Sequence, residues 1–71
     1  MLRYAIVGTN WLSHLYRQAI EDAGDRVSAV CSRSAERGAE LAPDGARVYT
    51  DLDELLKDPE VDVVYLCIPN V

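Results

Sequence analysis

Apolar residues alternate along this chain between short continuous runs and stripes at helical spacing. The first run, Tyr4-Ala5-Ile6-Val7, stops at Gly8 and predicts a buried strand. From there Leu12, Leu15, Tyr16, Ala19, Ile20 and Ala23 recur at helical spacing, with His14, Arg17, Gln18, Glu21 and Asp22 opposite. That stripe predicts a helix with Gly24 as its C′ residue. Residues 26–31 form a second run, and Ser34 is placed to cap a short helix over 35–42 that Pro43 helps to end. Asp44-Gly45 is a turn and residues 46–49 a short third strand. Thr50 is the expected cap of a helix over 51–57, with Asp53 at its N3 position and Leu52, Leu55 and Leu56 as its apolar face. Asp58-Pro59 stops it, and residues 61–68 are apolar almost throughout, as in a parallel strand covered on both faces.

The predicted order is βαβαβαβ. This is an α/β pattern, a partial doubly wound fold with four parallel strands. Right-handed crossovers give the sheet order 3-2-1-4, with the first two helices on one face and the third on the other.

The first strand-to-helix turn carries the candidate chemistry. Unpaired N–H groups at a helix start make an anion site, and Gly8 permits the sharp turn into it. A dinucleotide fingerprint has the form G-x-G-x-x-G/A, and here Gly8, Asn10 and Ser13 hold its three positions. Asn10 enters the left-handed region more readily than most residues, and its side chain either obstructs a pyrophosphate or donates to it. Ser13 is small enough for close helix–strand packing. Trp11 lies off the apolar stripe, so it either flanks the phosphate site or covers the helix end, and Thr9 and Leu12 complete the turn. An ordinary strand-turn-helix without a ligand is the plain alternative.

The end of the second strand bears on the cofactor. An acidic residue about 20 positions past the glycines binds the ribose 2′-hydroxyl of NAD. The sequence there is Cys31-Ser32-Arg33, with Arg37 one helical turn further on. A hydroxyl and a guanidinium suit a 2′-phosphate that a carboxylate would repel, so the pattern favours NADP, with NAD possible. The plain alternative is that both arginines are solvated.

Composition narrows the partners. The chain has 71 residues, 49% of them hydrophobic, and a net charge of −5, which suits one small unit and argues against nucleic acid or an anionic membrane as a partner. No apolar run approaches the ~20 residues that span a bilayer, and the N-terminus shows no signal-type segment, so a cytoplasmic location is expected. Cys31, Cys67 and the single His14 have no metal-ligand spacing; each cysteine closes an apolar strand and is either a small buried hydrophobe or site-lining.

The stretches AIVGTNWLS, VSAVCSRSAERGAELA and VYTDLDELLKDPEVDVVYLCIPN together resemble the N-terminal Rossmann portion of the Gfo/Idh/MocA oxidoreductase family. The resemblance covers essentially the whole chain. Its most specific part is the D-L-x-E-L-L helix, D-P-x-V-D-V-V, and a strand ending in the T-P-N-like Ile68-Pro69-Asn70. It implies that this tripeptide forms the crevice wall beside the cofactor, opposite Ser32 and Arg33. It also implies hydride transfer between NAD(P) and sugar-like or other small alcohols and carbonyls. The family's E-K-P motif with its catalytic lysine, its downstream aspartate and histidine motif and its substrate domain match nothing here. The expectation is the N-terminal half of a dinucleotide-binding domain over residues 1–71, catalytically incomplete, with the substrate domain absent. A non-catalytic nucleotide-sensing module and a structural fragment that self-assembles without ligand are the alternatives. An apolar edge strand at 61–68 and a thinly covered sheet face imply a homo-oligomer through one of them.

Overall fold

Successive residues of a strand face opposite sides of a sheet, so the apolar strand β1 (Arg3–Val7) must serve two cores. In the computed structural model, which describes residues 1–67, it lies between β2 (Arg26–Cys31) and β4 (Val63–Leu66), and β3 (Arg47–Tyr49) pairs beyond β2. All pairings are parallel and the order is β3-β2-β1-β4, as the pattern predicts. On one face Ile6, Val27 and Val30 pack with Ile20 of α1 (Trp11–Asp22), Leu41 of α2 (Ala35–Leu41) and Cys67. On the other, Ala5, Val7, Ala29 and Cys31 pack with Leu55 of α3 (Leu52–Leu56).

Val27 and Val30 are three residues apart and would face opposite sides of a regular strand. A register shift resolves this. Tyr4 pairs with Val27 and Ala5 with Ala29, so Ser28 is an extra residue that resets the alternation. Its hydroxyl is satisfied by donating to the Glu60 carbonyl at 3.0 Å.

The helix ends show where side-chain caps outweigh pattern. Ser34 accepts from Arg37 N, as expected, and Gly24 takes φ +87° just past α1. At α3 the cap is Asp51 rather than Thr50. Its carboxylate accepts from Asp53 N, and an acid at a helix start also suits the dipole. With only five residues, α3 is held chiefly by the fully buried Leu55, whose burial contributes about 2–3 kcal/mol.

Two apolar expectations are corrected. The buried side of α1 is narrower than the stripe, because Leu15 and Ala19 are exposed while Ser13 and Ile20 are buried. The hydroxyl of Ser13 donates to the Gly8 carbonyl at 2.8 Å, which lets a polar residue take a core position. Strand β4 is shorter than 61–68, although bonds from Asp62 N to Arg3 O and Cys67 N to Val7 O carry the ladder one step past each end. It is covered on one side only. Tyr65 stacks on Tyr16 with ring centroids 4.4 Å apart, while Val64 and Leu66 on the α3 side are 36% and 59% exposed.

Candidate functional site

Strand ends converge where β1, β2 and β4 finish, because all run the same way. Strand β1 leads on to β2 on one side and has β4 on the other, which opens a crevice above its C-terminal end. The chain leaves β1 through Gly8 at φ +103°, a conformation that a side chain would strain. Gly8 N donates to Cys31 O at 2.9 Å, and Ser32 N to Tyr49 O at 2.9 Å, so the ends of β1, β2 and β3 form one hydrogen-bonded rim. The Thr9 and Ser32 hydroxyls lie 3.1 Å apart across it, and Ser32 Oγ accepts from Ser34 N at 3.2 Å.

Above the rim is an open cleft of about 870 Å³, within the usual range for a small-molecule site. Of the residues expected to hold a cofactor, Gly8, Thr9, Ser32, Arg33 and Arg37 line it. Arg33 and Arg37 are both exposed and form no ion pair among the described residues. Among the described residues no carboxylate lines the cleft, so that lining is cationic in a chain of net charge −5.

Asn10, Trp11 and Leu12 stand at the start of α1, outside that lining. Trp11 is 72% exposed. The side chain of Asn10 bonds within the chain through both its oxygen and its nitrogen. Its Oδ1 accepts from Leu12 N at 2.9 Å and Ser13 N at 3.3 Å, and its Nδ2 donates to the Cys67 carbonyl at 2.6 Å. Thr9 N and Trp11 N have no acceptor among the described residues and remain the turn's open donors. Ile68, Pro69 and Asn70 lie outside the described residues.

Sequence reasoning did not single out Val7, Ser34, Thr50, Leu52 and Leu66, which complete the lining with Cys31. Thr50 and Leu52 follow β3, and the rule that ligands lie past the C-terminal strand ends was the available signal. Burial pushes the Cys31 thiol up, reinforced by Asp51, so it is a protonated, weakly polar wall.

This turn, the rim and the uncharged-to-cationic lining fit a dinucleotide. Residues 2–71 match the family described as an oxidoreductase family with an NAD-binding Rossmann fold. The chain belongs to the Gfo/Idh/MocA oxidoreductase family. It is 40% identical over 73 residues to scyllo-inositol 2-dehydrogenase (NADP(+)) IolU of Bacillus subtilis (strain 168). It is 34% identical to 1,5-anhydro-D-fructose reductase of Ensifer adhaerens and 33% to the uncharacterized oxidoreductase YgjR of Escherichia coli (strain K12). Each match takes in 99% of this chain but only 22% of the relative, so the chain spans about a fifth of the length of the curated relatives it matches. Membership makes a nicotinamide dinucleotide the cofactor class of this Gfo/Idh/MocA domain. Among the described residues no helix is long and apolar enough to cross a membrane.

Proposed function

We propose that this chain is the cofactor-binding portion of an NADP-dependent oxidoreductase acting in the cytoplasm on a sugar-like alcohol or carbonyl. One observation supports NADP over NAD: where β2 ends, the cleft offers the Ser32 hydroxyl and the Arg33 and Arg37 guanidiniums, and no acid. A carboxylate there would accept from a ribose 2′-hydroxyl, whereas guanidiniums pair with a 2′-phosphate. The relative from Bacillus subtilis, an NADP(+) dehydrogenase of scyllo-inositol, agrees with both cofactor and substrate class. The bound nicotinamide would supply or accept the hydride. This chain's residues bind and orient: Thr9 N and Trp11 N toward the pyrophosphate, Ser32, Arg33 and Arg37 toward the adenosine ribose. Ile68, Pro69 and Asn70 are assigned to the opposite wall from the family resemblance. The catalytic lysine motif has no counterpart in these 71 residues, so the chain alone is expected to bind and not to turn over.

Titration of the purified chain with NADPH and NADH tests the reading. NADPH binding at least tenfold tighter than NADH is expected. Equal affinities would return Arg33 and Arg37 to solvated surface residues, and no binding of either at millimolar concentration would overturn the whole reading. The exposed Val64 and Leu66 of β4 support a second element, self-association through β4 or its open face.

A further inference from the structure

The side chain that replaces the second fingerprint glycine ties together two distant parts of the chain. Asn10 Oδ1 caps α1 through Leu12 N and Ser13 N, and the capping box closes with Asn10 N donating to Ser13 Oγ at 3.3 Å. Its other end, Nδ2, reaches 57 residues along the chain to the carbonyl of Cys67. Cys67 N in turn donates to Val7 O at 2.7 Å, the last bond between β1 and this segment among the described residues. A glycine in this position could cap nothing and reach nothing. An amide carries its acceptor and its donors on separate atoms, so one end can cap the helix while the other reaches the far strand.

We propose that Asn10 is a positioning residue, a brace that fixes the exit of β4 against the phosphate turn and so sets the width of the cofactor crevice. The proposal rests on the dinucleotide reading for its consequence, though not for its geometry. The three hydrogen bonds of the amide all stay within the chain, so the role assigned to Asn10 is positioning rather than phosphate binding. It acts through the end of β4, where Leu66 lines the cleft and Cys67 follows it.

Two variants separate the functions of the amide. Asn10→Ser keeps a capping oxygen but is too short for Cys67, and Asn10→Asp keeps length and acceptor but lacks the donor. Amide hydrogen exchange on the purified chain should show Cys67 N–H exchanging about tenfold faster in both variants, the loss expected for about one net hydrogen bond. The Val30 amide in the buried β2 serves as the control and should not change. In Asn10→Ser, NADPH should bind about 5–10-fold more weakly, again one hydrogen bond's worth. The 2′-phosphate of ADP-ribose, which has the same pyrophosphate and no nicotinamide, should bind unchanged. Unaltered Cys67 exchange overturns the brace. Equal weakening of both ligands places Asn10 at the phosphates and overturns the positioning role. If the unsubstituted chain binds neither ligand, the dinucleotide reading fails, and the exchange measurement still decides the brace by itself.

Discussion

Gly38 of α2 lies so close to Val48 of β3 that a Cβ on the glycine would stand 2.7 Å from Val48 Cγ1. This approach seats α2 on the sheet, and the first turn of α2 carries Ser34 and Arg37 into the cleft. Alanine would favour the helix by about 1 kcal/mol over glycine, but overpacking costs roughly 1–3 kcal/mol. Overpacking should win, since a β-branched neighbour is stiff. Gly38→Ala is therefore expected to lower stability by about 1 kcal/mol in urea unfolding and to weaken NADPH binding. Adding Val48→Ala should recover both. A Gly38→Ala variant as stable as the parent would show that α2 is not seated by this contact.

Arg33→Asp should act on cofactor choice rather than on the fold, because Arg33 is exposed and has no ion-pair partner among the described residues. A charge-assisted hydrogen bond is worth about 1.5–3 kcal/mol, so NADPH should weaken by one to two decades. NADH should hold or improve, since a carboxylate can take the 2′-hydroxyl. Parallel loss of both cofactors in fluorescence titrations would remove Arg33 from the ribose site.

The strand order, the Ser34 cap, the Gly24 stop and half of the cleft were legible because each rests on local rules: periodicity, capping and positive φ. What escaped depended on partners distant in sequence. The bulge at Ser28 is visible only once β2 is laid against β1, since Val27 and Val30 fit no single strand period alone. Thr50 and Asp51 are both good caps, and only the backbone path selects Asp51. Asn10 suggested phosphate chemistry by its place in the motif, but its donor goes to Cys67, 57 residues away. Leu15 fits the stripe and is still exposed, which the spacing of apolar residues along α1 does not reveal.

Acid should unfold the chain through two carboxylates. Asp58, whose side chain is almost fully buried, accepts from Glu60 N at 2.8 Å, Tyr49 Oη at 2.7 Å and Arg47 Nη1 at 3.2 Å. The Glu60 amide first, then Tyr49 and Arg47, hold it below the usual carboxylate range. Asp62 is lowered by Arg3, which grips it through Nε at 3.0 Å and Nη2 at 3.1 Å. A depressed folded pKa means that the unfolded chain binds protons first. The stabilisation is therefore complete above the ordinary value near 3.8 and is lost as pH falls through the lower folded values. Thermal unfolding by circular dichroism should show a Tm steady from neutral pH to about 5 and falling steeply below 4. Asp58→Asn should lower the Tm at neutral pH and flatten that acid slope. An unchanged slope would mean that Asp58 is not the responsive group.

Self-association should depend on the α3 side of β4. Val64 and Leu66 point there from an edge strand at 36% and 59% exposure, and Leu52 and Leu56 of α3, on the same face of the sheet, are 41% and 59% exposed. Apolar side chains and unpaired strand groups together are what soluble monomers avoid, and burial would return about 25 cal/mol per Å² covered. A two-fold pairing lays the patch against its own copy, so each exposed residue gains an apolar partner without any new sequence feature. Leu52 and Leu66 also line the cleft, so Val64→Lys and Leu56→Lys are the informative variants. In sedimentation equilibrium at micromolar concentration the unsubstituted chain should exceed its 7.9 kDa monomer mass. Either lysine should return it to the monomer with its circular dichroism and its NADPH affinity intact. A cooperative monomer before substitution would show that the patch stays exposed to solvent at this concentration, and dimers that survive both lysines would move the interface elsewhere.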